Sequence, residues 1–142
     1  MADYRRPLPQ ATPETAPFWA AVKNHELHLQ RCKECGHVYF PPRPFCPVAT
    51  CASGNVESFK ASGKGTLHSY VINHRAPPAF QDIAPYAIAA VELEEGPRLA
   101  ANIVGIENTP ENLVLDMALE VVFEDVTETQ SLYRFRPSGG AA

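Results

Sequence analysis

Four cysteines, Cys32, Cys35, Cys46 and Cys51, lie within one stretch of twenty residues, and the chain has no others. Their spacing is C-x2-C, then ten residues, then C-x4-C. In Cys32-Lys33-Glu34-Cys35-Gly36, the glycine allows a tight turn that aims both sulfurs at one point and lets backbone amides face them. Four soft thiolates closing a tetrahedron select zinc, with iron as the usual competitor. Such a site has no open coordination position, so its metal is structural. Two disulfides or a redox pair are the competing readings. The N-terminus Met1-Ala2-Asp3-Tyr4-Arg5-Arg6 shows no apolar signal segment, which points to a reducing, cytoplasmic setting where paired cysteines are metal ligands. The Cys46-x4-Cys51 knuckle is wider than usual, and His37 is a spare ligand should Cys51 not reach.

The elements that must position these sulfurs follow from the flanking pattern. Glu26-Leu27-His28-Leu29-Gln30-Arg31 alternates and runs into Cys32 as a first ribbon strand. His37-Val38-Tyr39-Phe40 returns, stopped by Pro41, Pro42 and Pro44. Upstream, Pro7 and Pro9 make an extended arm. A helix then starts at Thr12 or Thr15, presents Phe18, Trp19 and Val22 on one side, and ends at Asn24 as its left-handed residue. From Gly63 the pattern is all-β, with strands over 65–72, 86–93, 98–104, 118–124 and 132–136. Five short strands of this size suit a small OB-like Greek-key barrel. The first two are separated by Asn73 to Pro85, a loop stiffened by Pro77 and Pro78 and long enough to be a binding element. The expected organisation is mainly β: arm and helix over 1–25, a rubredoxin-like zinc ribbon over 26–60, the five-stranded barrel over 61–137, and a disordered tail over 138–142.

The net charge of −4 is unevenly placed. Residues 1–75 carry nine Lys/Arg against five Asp/Glu, and residues 76–142 carry three against eleven. Ribbons and OB barrels both bind single-stranded nucleic acid, and Tyr70, Phe80 and Tyr86 could stack bases. The acidic second half opposes that alternative, because such binding needs a basic groove. No apolar run is long enough to span a membrane. Walker, dinucleotide and nucleophile-elbow motifs are missing. A set of Ser69 with His68 or His74 and Asp82 is the kind any chain offers by chance, so the sequence argues against a self-sufficient enzyme.

In order along the chain stand Phe18-Trp19, Leu27 through Gly36, Pro41-Pro42-Arg43, Cys46-Pro47, Gly63-x-Gly65, Pro85-Tyr86, Val91-Glu92-Leu93-x-x-Gly96 and Phe135-Arg136-Pro137. From about Pro9 to Pro137 this resembles the Zn-ribbon OB-fold proteins, the acyl-CoA-associated family labelled domain of unknown function 35. The resemblance implies a small, non-catalytic partner subunit in a hetero-oligomer with a thiolase-like enzyme. In such complexes C–C bonds of acyl-CoA thioesters are made or broken, and the thiolase-like chain carries the chemistry. Two departures stand out: the wide Cys46–Cys51 knuckle, and Asp116-Met117 where the family usually has Gly-Met. Asp tolerates the same turn conformation.

Within that frame, Arg75 suits a CoA phosphate, and Phe80 suits adenine or an acyl chain. Lys60 and Lys64 are further candidates for the phosphates. The competing reading of Phe80 is a plug in the open end of the barrel. Phe18 and Trp19 are the candidate partner-interface residues, with packing in the chain's own core as the alternative.

Overall fold

The computed structural model describes residues 4–139. Helix α1 covers Ala16–Lys23, with Thr15 as N-cap and Pro17 in the first turn, where the ring removes no needed N–H. Thr12 prepares this start, its carbonyl accepting from Thr15 N at 3.0 Å and Ala16 N at 2.8 Å. The helix does not end as expected. Asn24 keeps φ at −87°, and the left-handed residue is His25, at φ 61°. His25 N donates to Val22 O and Glu26 N donates to Ala21 O, both at 2.9 Å, the paired bonds of a Schellman end. A histidine tolerates this position because its ring is held. It stacks on Phe123 at 5.2 Å, and Nε2 lies 2.8 Å from Asp125 Oδ1.

The ribbon sheet has the order β2–β1–β3, with β1 His28–Cys32, β2 Val38–Tyr39 and β3 Val56–Lys60. The third strand has no counterpart in the sequence reading. Val56-Glu57-Ser58-Phe59-Lys60 gains its structure by pairing with all five residues of β1. Glu26 and Leu27, expected in the first strand, link the helix end to it instead, with Leu27 O accepting from Ala61 N at 2.8 Å.

The second sheet has the order β6–β5–β4–β7–β8, all antiparallel. Its strands are β4 Lys64–Asn73, β5 Tyr86–Leu93, β6 Arg98–Ala101, β7 Ala118–Asp125 and β8 Ser131–Pro137. It curls into a half-barrel. β6 stops earlier than expected because Asn102 turns the chain away, donating its side-chain amide to Ala87 O at 2.8 Å. The chain then changes partner: Phe135 N donates to Asn102 O and Val104 N to Phe135 O, so the two edges meet through a single parallel bridge at Ile103–Phe135. Asp116 takes φ 69°, the turn conformation expected of it, and its N donates to Leu67 O at 2.8 Å. At the C-terminus, Ser138 N still bonds to Ala118 O, and residues 140–142 of the expected tail lie outside the described residues.

Helix, ribbon and curled sheet share a single buried cluster that includes Phe18, Val22, Leu27, Leu29, Leu67, Val91, Leu119 and Phe135. The strand entry at Gly65 is packed as closely. A Cβ there would stand 2.6 Å from Glu92 O and 2.9 Å from Val91 Cγ1. Both neighbours are fixed, one as backbone and one as core. Gly65→Ala is therefore expected to destabilise the chain by about 1–3 kcal/mol, measured as a lowered urea midpoint at unchanged slope. An unchanged midpoint would show that β4 and β5 are not so closely apposed.

Candidate metal centre and binding loop

Cys32 ends β1, and Cys35 follows on a turn closed by Gly36 N donating to Cys32 O at 2.9 Å, with Gly36 at φ 79°. Glu34 N approaches Cys32 Sγ at 3.4 Å. The second knuckle is built differently. Cys51 N and Ala52 N both donate to Val48 O at 2.9 Å, and Ala52, at φ 50°, takes the left-handed position that glycine fills in the first knuckle. That turn absorbs the two extra residues, and Cys51 reaches the cluster. His37 is not needed; it is exposed and lies over Tyr39 at 6.0 Å.

The four Sγ atoms lie within 4.8 Å of one another, with Cys32–Cys51 at 3.7 Å and Cys35–Cys46 at 3.6 Å. A regular tetrahedron with metal–sulfur bonds of about 2.3 Å has edges of about 3.8 Å, so the donor set fits one divalent ion. The protonation balance is uneven. Backbone N–H groups of Cys35 and Glu34 help draw the Cys32 thiol down to about 7, whereas burial pushes Cys46 up to about 12. An ion that neutralises the thiolates removes that burial penalty.

The loop after β4 folds into a 3-10 helix over Pro78–Ile83 with none of its residues buried. Its neck is tied by Asn73 Nδ2 donating to Tyr86 Oη at 3.0 Å, and Arg75 N donates to Asn73 Oδ1 at 3.2 Å. Phe80 is half-buried against Tyr86, ring centroids 5.7 Å apart, and Arg75 is exposed. Lys60 and Lys64 are not brought to this loop. Lys60 pairs with Glu26 at 4.0 Å, and Lys64 starts the strand that Asn73 ends, roughly 30 Å away at the rise of an extended strand. They cannot hold the same phosphate as Arg75.

Phe18 does not offer a docking surface. It is 5% exposed, packed edge-on to Trp19 at 5.0 Å and to Tyr133 at 5.9 Å, because the apolar side of α1 covers the curled sheet. Trp19 is half-buried, stacked over Tyr133 at 6.3 Å, and borders a cleft of about 260 Å³ that Tyr4, Pro7, Pro9 and Phe80 also line. Among the described residues no hydrogen bond joins Ser69, His68, His74 and Asp82 to one another, and Asp82 pairs with Arg6 at 2.7 Å. Tyr70 packs partly against the core, whereas Phe80 and Tyr86 stand together at the loop neck, where Asn73 holds the Tyr86 hydroxyl. Arg6 is the residue that the sequence reading missed. Nothing in Arg5-Arg6-Pro7 signals a partner 76 positions away.

Residues 19–57 match the family model described as the ChsH2 rubredoxin-like zinc ribbon domain, and residues 60–124 match the ChsH2 C-terminal OB-fold domain. A DUF35 domain-containing scaffold protein of Methanothermobacter thermautotrophicus is 39% identical over 116 residues, 81% of this chain and 85% of the relative. The chain belongs to the DUF35 family. Among solved structures, the DUF35 chain titled as the Ltp2-ChsH2(DUF35) aldolase superposes with a TM-score of 0.80 at 35% identity, covering 92% of this chain and 99% of that one. A probable enoyl-CoA hydratase alpha subunit of Thermomonospora curvata is 36% identical over 134 residues, 94% of this chain but 40% of that longer protein. The DUF35 match thus spans helix, ribbon and curled sheet together. Among the described residues, no helix is long and apolar enough to cross a membrane.

Since Trp19 packs on Tyr133 and Phe18, Trp19→Ala is expected to cost the isolated DUF35 chain roughly 2 kcal/mol, less than a fully buried tryptophan. Urea unfolding of the purified chain measures this. An unchanged midpoint would mean that the indole contributes little to the fold.

Proposed function

We propose that this chain is the accessory, non-catalytic subunit of a thiolase-superfamily enzyme, scaffolding a complex that makes or breaks a C–C bond in an acyl-CoA. The observation that carries this reading is the likeness to the DUF35 chain of the Ltp2-ChsH2(DUF35) aldolase, which runs over 92% of the chain. The scaffold name of the archaeal relative and the CoA-linked name of the actinobacterial one support it. The hydratase activity named for the latter belongs to a protein of which this chain matches 40%, and it is not carried over. Local chemistry agrees with an accessory role, because no hydrogen bond links the candidate hydrolytic residues among the described residues, and the four thiols are gathered in one cluster. The structure also carries exposed apolar surface beside the loop. Val71 and Ile88 are cross-strand partners on the outer face of the curled sheet, 62% and 43% exposed, next to the Asn73–Tyr86 neck. Apolar surface of this kind is what a partner chain covers.

In this reading Cys32, Cys35, Cys46 and Cys51 hold a structural Zn2+, which when bound cross-links the two knuckles and supplies no reaction chemistry. Arg75 and Phe80 reach toward the CoA thioester bound in the complex, the guanidinium for a phosphate and the ring for adenine or the acyl chain. Lys60 and Lys64, at the far end of β4, would meet a different part of the ligand or the partner. Trp19 is left as the interface residue on α1.

Co-purification from the native host with a thiolase-like chain tests the assignment. Acyl-CoA turnover should require both chains, and turnover that scales with this chain alone would overturn it. Metal analysis should find about one zinc per chain, and Cys35→Ser should release it and loosen residues 26–55; zinc retained in that variant would remove the four-thiolate site. In the reconstituted complex, Arg75→Ala and Phe80→Ala should raise KM for the CoA substrate with assembly intact. Unchanged kinetics in both would take the loop out of the CoA site.

A further inference from the structure

We infer that the N-terminal arm is a strap that positions the 73–85 loop, with Arg6 as its clasp. This inference rests on the reading above that the loop serves the CoA site. Pro7 and Pro9 lack a backbone N–H, so the arm cannot be held as a fully bonded strand. Side-chain hydrogen bonds to distant parts of the chain hold it instead. Arg6 Nη2 donates to both oxygens of Asp82, at 2.8 and 2.7 Å, and Gln130 Nε2, in the β7–β8 hairpin, donates to Pro9 O at 2.8 Å. Between these points the arm passes over the cleft that Trp19, Tyr133 and Phe80 line.

The loop needs such a hold. Its 3-10 helix has no buried residue, and its neck is tied through Asn73, Tyr86 and the Phe80–Tyr86 contact. Asp82 lies two residues beyond Phe80, so the Arg6–Asp82 pair fixes the last turn of the 3-10 helix. The same guanidinium sits 5.7 Å from the Phe80 ring centroid and 5.7 Å from that of Tyr4. One arginine therefore sets both the height of the 3-10 turn and the facing of the Phe80 ring. Its side chain is 17% exposed, which shields the pair from solvent on one side; Asp82 is 71% exposed. Arg6 touches neither ligand nor reacting atoms in this scheme and acts through Phe80, as a positioning residue.

Hydrogen exchange on the full chain tests the strap, read at the Phe80 and Ala84 amides, which donate to Pro77 O and Gln81 O inside the loop. Arg6→Ala and Asp82→Asn should each speed exchange there about fivefold, as expected for losing a partly shielded ion pair. Arg6→Lys, which keeps the charge but not the planar guanidinium beside the Phe80 ring, should fall between, and the swapped pair Arg6→Asp/Asp82→Arg should return toward the parent rate. Unmoved exchange in the single variants, or a swap no better than either, overturns the strap. The second readout is titration of coenzyme A itself into the co-purified complex. Arg6→Ala should weaken its Kd severalfold with assembly unchanged. A loosened loop with unchanged coenzyme A affinity overturns the positioning role and leaves the clasp as a fold contact, while the CoA reading itself is decided separately by the Arg75→Ala and Phe80→Ala kinetics.

Discussion

Leu27 and Leu29, on the way into the first cysteine, are buried in the same cluster as Leu67, Leu119 and Phe135 of the curled sheet. The rest of the structure depends on this shared burial. Neither a ribbon with a two-residue edge strand nor a half-barrel joined by a single bridge has apolar surface enough to close on itself. Each therefore covers the other, and α1 covers both through Phe18 and Val22. The junction is bonded as tightly as it is packed. Ala61 N donates to Leu27 O and Val121 N to Gly63 O, both at 2.8 Å, while Ser62 is held by Glu94 and Glu95 from the β5–β6 turn.

That junction leaves the two candidate sites in different regimes. The cysteine cluster is local: its four sulfurs come from two tight turns on one short stretch. Its geometry is set by backbone hydrogen bonds and conforms to a tetrahedral ion. The 73–85 loop is the opposite case. It stands off the sheet with no buried residue in its 3-10 helix, and contacts from distant parts of the chain hold it. A metal-sized site on one segment and a surface-held loop on another is the division expected of a scaffold, in which stability and ligand contact belong to different segments.

Part of the acidic charge of the second half is organised by pairing. Glu120 meets Arg136 at 2.7 Å, Glu92 meets Arg98 at 3.2 Å and Glu124 meets Arg134 at 3.6 Å, each within one pair of neighbouring strands. Asp125 collects Lys23, His25 and Ser131, so it joins the helix end to the β7–β8 hairpin. These contacts hold its carboxyl below the usual carboxylate range, with the Ser131 hydroxyl as the first cause and His25 next. A depressed carboxylate stabilises the fold above its unfolded value and ceases to do so as pH falls through the folded one. The helix–hairpin joint is thus a contact that acid loosens.

The sequence by itself determined what local chemistry decides. The cysteine spacing defined the metal-sized cluster, alternation located the strands of the curled sheet, and the ordered motifs identified the family. These features were legible because each depends on residues close in the chain. Tertiary structure decided what depends on distance. Val56–Lys60 became a strand only beside β1, and His25 took the left-handed place in preference to Asn24 because Phe123 and Asp125 were there to hold its ring. Phe18 was drawn into the core, away from any interface, once α1 lay on the sheet. Lys64 and Arg75, eleven positions apart, were separated by the length of one extended strand, whereas Arg6 and Asp82, 76 apart, were brought into contact. Periodicity records which face of an element is apolar, but it does not record which other element will cover that face or which charge will stand opposite.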